Sequence, residues 1–174
     1  EAIREGLEGF APDAAIYIRP MYWGIHGSEL GLVPSGEETG FAICLEEVPM
    51  HAPDRTTTLT TTRFRRPVLE DAVCDAKAGC LYPNNGEVFT PIANGTFLAG
   101  ITRARHIANL ARDGVTVHED VLTFDDIRNA DEVFLSGNLT KVTPVTAFDD
   151  RQYQVGPVTR RVRDMYWDWA LSAA

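Results

Sequence analysis

The chain has 174 residues, 44% of them hydrophobic and 24% charged, a globular composition that excludes wholesale disorder. Twenty-five acidic residues against sixteen basic ones leave a net charge of −9. That balance excludes a generic binder of nucleic acid or anionic membrane, both of which demand a basic face. No apolar run approaches the roughly 20 residues that span a bilayer. The four histidines and three cysteines lack the spacing of a zinc site or a disulfide framework.

In chain order, Ile3 and Leu7 stand at i, i+4 and predict an amphipathic helix within residues 1–10. The chain begins without Met and already in this helical pattern, so its natural start is expected upstream. Residues 14–19 alternate as a strand, which Pro20 is expected to close. A second apolar run, 41–45, leads to a segment with two prolines at 49–54, the candidate linker between a small lobe (1–48) and a larger one (55–174). Residues 56–64 favour strand, 68–78 are mixed, and Tyr82-Pro83-Asn84-Asn85-Gly86 reads as a sharp break.

The second half is more regular. Ile101, Ala104, Ile107, Ala108 and Ala111 share one helical face, which is the expected core face, and Gly114 sits where a helix C-terminus favours a left-handed residue. A strand at 115–117 follows, then Thr123-x-x-Asp126, which is spaced as a capping box. The apolar β segments 133–135 and 142–145 flank Ser136-Gly137. Gly156-Pro157 opens a helix carrying Val158, Val162, Met165, Tyr166 and Trp169. The pattern is mixed α/β (α+β) in two lobes. Cys44, Cys74 and Cys80 are expected to be free and buried, in keeping with a reducing, cytoplasmic setting.

Four places suggest chemistry. Leu98-Ala99-Gly100-Ile101-Thr102-Arg103 runs a small-residue turn into a helix N-terminus, which suits a phosphate and equally suits an ordinary helix cap. Ser136-Gly137-Asn138-Leu139 is a second turn suited to anions, or a plain connection. Tyr17 and Arg19 project from one strand face and could clamp a carboxylate, or Arg19 could pair with a nearby acid. Fourteen of the sixteen bases are Arg, so amine chemistry falls to Lys77, Lys141 or the N-terminus. Lys77, among small residues, is either a desolvated nucleophile or a surface side chain.

Six segments in fixed order tie these places together. They are Tyr17-Ile18-Arg19-Pro20; Ala76-Lys77-Ala78-Gly79 with Tyr82; Gly100-Ile101-Thr102-Arg103; Ala130-Asp131-Glu132-Val133-Phe134; Ser136-Gly137 with Val142-Thr143-Pro144-Val145; and Gly156-Pro157-Val158-Thr159. Together they resemble the fold-type IV pyridoxal-phosphate transaminases, and among these the branched-chain amino-acid aminotransferases. The resemblance implies a two-domain enzyme that moves an amino group between leucine, isoleucine or valine and 2-oxoglutarate, with pyridoxal 5′-phosphate as cofactor. It makes Lys77 the Schiff-base lysine and proton shuttle, and Tyr82 the partner of the cofactor's phenolic oxygen. Gly100, Ile101 and Thr102 would hold the phosphate, with Asn138 contributing. Tyr17 would bind the substrate carboxylate with Arg19 beside it, helped by the backbone N–H groups of Asn138 and Leu139. Lys141 matches no lysine the family uses and is assigned to structure or surface. A homodimer or higher multiple, with amino acids and 2-oxo acids as its only partners, is implied too. A D-amino-acid or (R)-amine transaminase, an aminodeoxychorismate lyase, or a catalytically dead cofactor-binding relative is the alternative.

The chain departs from that family in two ways. After Asn85 the family continues for several dozen residues, including a Glu that protonates the pyridine nitrogen, before the part resembling Gly86-Glu87-Val88-Phe89. The family's N-terminal portion, with an Arg that grips the phosphate, has no counterpart here. The expectation is therefore a truncated small lobe and a larger lobe interrupted after Asn85.

Overall fold

In the computed structural model, which describes residues 1–25, 39–63, 80–84, 86–95, 97 and 99–172, the chain forms two units, Glu1–Met50 and His51–Ala174. The first holds helix α1 (Ala2–Leu7) and an antiparallel pair, β1 (Ile16–Gly24) and β2 (Thr39–Glu47). The strand expected to end at Pro20 runs on to Gly24, with Pro20 opposite Ile43. In a two-stranded sheet β1 keeps one unpaired edge, where a residue without an N–H costs no ladder bond. Cys44, expected to be buried, is exposed, because it lies on the outer part of this thin sheet, 3.3 Å from the sulfur of Met21.

The second unit is built on a seven-stranded mixed sheet. Its members are β3 (Thr57–Leu59), β4 (Cys80–Asn84), β5 (Glu87–Pro91), β6 (Val117–Asp120), β7 (Val133–Gly137), β8 (Lys141–Phe148) and β9 (Arg151–Gln152). The order is β3-β8-β7-β4-β5-β6, with β9 on β8. The break expected at 82–86 is a hairpin: Tyr82 to Asn84 continue β4, and Asn84 pairs with Glu87. Between the sheet strands stand α2 (Ile101–Arg112), α3 (Phe124–Asn129) and, at the end, α4 (Pro157–Ser172). Val88, Phe134 and Val142 pack with Leu110 of α2 and Val162 of α4 on one face. Val133, Val145, Phe148 and Tyr153 form a second core on the other. Burial on both faces explains why β7 and β8 read as near-continuous apolar runs.

Helix α2 turns a different face inward from the one its apolar residues predict. Ile101 is 88% exposed, and Ala104, Ala108 and Ala111 face solvent too. The buried side carries Arg103, His106, Asn109 and Leu110. Arg103, His106 and Asn109 there each have at least one tertiary partner, which offsets the cost of polar burial. Arg103 donates to Thr90, Pro91 and Glu119, His106 to the Lys141 carbonyl, and Asn109 to the Met165 carbonyl.

Candidate active site

The site is organised by how the helices of the second unit begin. Thr123 caps α3 in a complete capping box with Asp126, and the Thr123 hydroxyl and backbone N–H, both donating to the Asp126 carboxylate, hold it below its ordinary range. The α4 start is closed by Glu132, whose carboxylate accepts from the N–H groups of Val158 (3.1 Å) and Thr159 (2.9 Å). That carboxylate lies where a Cβ on residue 156 would fall, so Gly156 is required by close approach.

Helix α2 begins differently. Its N-cap is Gly100, with extended backbone, no side-chain cap and no acid in the first turn. The first intrahelical bond runs from Ala104 N–H to the Gly100 carbonyl at 3.0 Å. Helix geometry therefore leaves the N–H groups of Ile101, Thr102 and Arg103 over, at the positive end of the dipole. Thr102 is half-buried at the second helical position and is not the cap. Arg103 fixes this turn to the sheet, with Nε 3.0 Å from Thr90 Oγ1 and a terminal nitrogen 2.7 Å from the Pro91 carbonyl and 2.6 Å from Glu119 Oε2.

The second turn suited to anions, 138–140, joins β7 to β8. Gly137 pairs with Lys141, and Lys141 takes a left-handed conformation at φ 59°, the usual close of a three-residue hairpin loop. Among the described residues no partner takes the backbone N–H of Asn138 or Leu139. The fully buried His106 brings the two turns to one end of the sheet. Its Nε2 donates to the Lys141 carbonyl at 3.1 Å, and Thr102 stands one helical turn before it on the same face. A carbonyl partner requires the proton on Nε2, and burial pushes the ring's pKa down, so His106 is neutral with Nδ1 unpartnered.

The structure thus groups Gly100, Ile101 and Thr102 with the turn of Asn138 and Leu139. Tyr17 and Arg19 lie in the first unit on one strand face, as their spacing predicts. There the Arg19 guanidinium sits 5.3 Å from the Tyr17 ring centre and 3.9 Å from Glu46. Tyr82 is placed by its backbone, opposite Phe89. Lys77, Asn85 and the segment 68–78 lie outside the described residues. Sequence reasoning missed Arg103, His106 and Glu132 as the groups that set the site's geometry. The usable signal was polar side chains at i, i+3 on the helix that follows the Gly-Ile-Thr turn.

Among the described residues, the second unit thus offers an open helix start and a hairpin turn with free N–H groups at one end of a mixed sheet. The model of the family described as amino-transferase class IV matches residues 80–148. An aminotransferase from Brucella abortus, solved bound to the co-factor PLP, is 41% identical with a TM-score of 0.88, over 97% of this chain and 73% of that one. The chain belongs to the class IV aminotransferases. A probable branched-chain-amino-acid aminotransferase of Aquifex aeolicus is 36% identical over 88 residues, covering 48% of this chain and 28% of that protein. A D-alanine aminotransferase of Listeria monocytogenes is 36% identical over 92 residues, 51% of this chain and 32% of that protein. These alignments cover less than a third of either relative's length.

Proposed function

We propose that the protein is a pyridoxal-phosphate-dependent transaminase that exchanges the amino group of a branched-chain L-amino acid with 2-oxoglutarate. The observation that supports this most directly is the start of α2, open to an anion and anchored by Arg103. A phosphate fits that turn: three N–H groups, the helix dipole and the Thr102 hydroxyl favour an anion, and no carboxylate of the first turn opposes it. Bound there, pyridoxal phosphate would supply the electron sink that stabilises a carbanion at the substrate Cα.

The protein's own residues would divide the remaining work. Lys77 carries the amine that holds the cofactor and moves a proton at the substrate Cα. Tyr82 donates to the cofactor's phenolic oxygen. Gly100, Ile101 and Thr102 hold the phosphate. The backbone N–H groups of Asn138 and Leu139 in the second unit, and Tyr17 with Arg19 beside it in the first, are each suited to a substrate carboxylate. The Arg19–Glu46 pair is exposed on both sides and so is easily exchanged for a substrate carboxylate. An apolar side-chain pocket separates neighbouring substrates by only about 10–200-fold per methylene. D-amino acids are the second reading, supported by the D-alanine aminotransferase relative at the same identity. We place the enzyme in the cytoplasm as a homodimer, which sedimentation of the full-length protein tests.

The deciding experiment is spectroscopic. Full-length protein loaded with pyridoxal phosphate should be yellow, and borohydride should fix the cofactor to Lys77, with no label in Lys77→Ala. A colourless protein refutes the enzyme reading. A yellow one that is inactive on leucine, isoleucine and valine but active on D-alanine selects the second substrate class.

A further inference from the structure

Lys141 combines four properties that an ordinary surface lysine lacks. Its backbone holds a left-handed conformation at φ 59°, which for a residue with a Cβ costs on the order of 1 kcal/mol and persists only where neighbours enforce it. The enforcing neighbour is buried His106, bonded to its carbonyl. Its side chain curls back over the turn it closes: Nζ lies 3.1 Å from Asn138 Oδ1 and 5.7 Å from the Tyr166 ring centre. Finally, in a chain of net charge −9, no carboxylate among the described residues lies within ion-pair distance of this ammonium.

The contact with Asn138 has a directional consequence. An ammonium only donates, so the Asn138 amide must turn its oxygen toward Lys141 and its NH₂ away. That leaves the NH₂ and the backbone N–H groups of Asn138 and Leu139 as donors on one short turn. We propose that Lys141 is a positioning residue for the substrate carboxylate, orienting the Asn138 amide and adding a positive charge to the turn that receives the anion. The proposal rests on the transaminase reading above. Partial burial leaves this charge less screened than one in open water.

The test uses the full-length protein loaded with pyridoxal phosphate and two probes of the same shape, 4-methylpentanoate and 4-methylpentanamide, bound in a calorimeter. Lys141→Met should weaken the acid about tenfold, the size of a charge-assisted contact, and the uncharged amide by less than about twofold. Lys141→Gln keeps a donor without the charge and should fall between Met and wild type. Lys141→Arg should bind the acid within about threefold of wild type. Pyridoxal-phosphate affinity should be unchanged across the series. Equal weakening of acid and amide, or of neither, overturns the proposal, as does a loss confined to the cofactor. If Lys141→Met is unstable in urea, the Gln and Arg pair decides by the same acid-to-amide ratio. A wild type that takes up no cofactor overturns the transaminase reading and this proposal together. A yellow wild type with an unresponsive Lys141 series overturns only this one.

Discussion

Replacing Arg103 by Met keeps most of the apolar stem and strips the guanidinium from three acceptors. Two of them, Thr90 Oγ1 at 3.0 Å and the Pro91 carbonyl at 2.7 Å, lie at or near the core. A hydrogen bond from a charged donor contributes about 1.5–3 kcal/mol, most of it lost when a buried acceptor cannot reach water. The third, Glu119, is 46% exposed at its side chain and rehydrates, so its share is about 0–1 kcal/mol. Since the three bonds share one group and are not additive, the expected total is about 3 kcal/mol. That is roughly a 150-fold loss in the folding equilibrium. Urea unfolding at neutral pH should show this as a lowered midpoint with an unchanged slope. Glu119→Gln should cost no more than about 1 kcal/mol. The start of α2 should loosen with its anchor, so pyridoxal-phosphate affinity should fall further in Arg103→Met than in Glu119→Gln. Equal, small shifts in the two variants would refute the assignment of Arg103 as the anchor.

Gly156→Ala drives a methyl into the Glu132 carboxylate and uncaps α4, so it should cost about 2–3 kcal/mol in urea, while Glu132→Gln, which keeps the shape and loses the charge, should cost about 1–2 kcal/mol. His106 has its pKa lowered by burial, so the unfolded chain binds the proton more readily. Stability is then complete above the unfolded value of about 6.5 and declines as pH falls below it until the folded ring also protonates. His106→Gln should remove that part of the pH dependence, and urea midpoints at several pH values that fall in parallel for both proteins would contradict it. Gly100→Asp fits the extended backbone of the N-cap and should raise stability by about a few tenths of a kcal/mol. The same carboxylate should compete with the phosphate and lower pyridoxal-phosphate affinity, and a titration showing tighter binding would remove the phosphate from this turn.

What the sequence disclosed follows the range of the interaction that decides each feature. The capping box at Thr123, Pro157 opening α4 and Gly114 closing α2 (φ +80°) depend on neighbours a few residues away, and all three were legible. The inward face of α2 was not. Its apolar residues point to Ile101, Ala104 and Ala108, while burial falls on Arg103 and His106, whose partners lie on strands β5, β6 and β8. Periodicity weighs each residue by its own transfer cost. It cannot register that a guanidinium has three acceptors waiting in the sheet, which turns a burial cost into an anchor. Pro20 misled for a related reason, because a proline ends a strand only where its N–H is needed by a neighbour.

The same division of range separates locating the site from assigning its parts. Gly-Ile-Thr before a helix announces an open N-terminus from sequence alone, but the same motif reads equally as an ordinary cap. The tertiary structure adds how the other helices of the unit start. The α3 start is closed by its own Thr123 and Asp126, and α4 by a carboxylate brought from 26 residues away. A side-chain cap is available to α2 by a single substitution and is worth about a few tenths of a kcal/mol over glycine, yet the position carries glycine. Arg103 meanwhile holds the uncapped turn in place with interactions several times stronger. Local stability is forgone at the tip while rigidity is supplied from behind, the arrangement expected where a site must be preorganised and still open to a ligand.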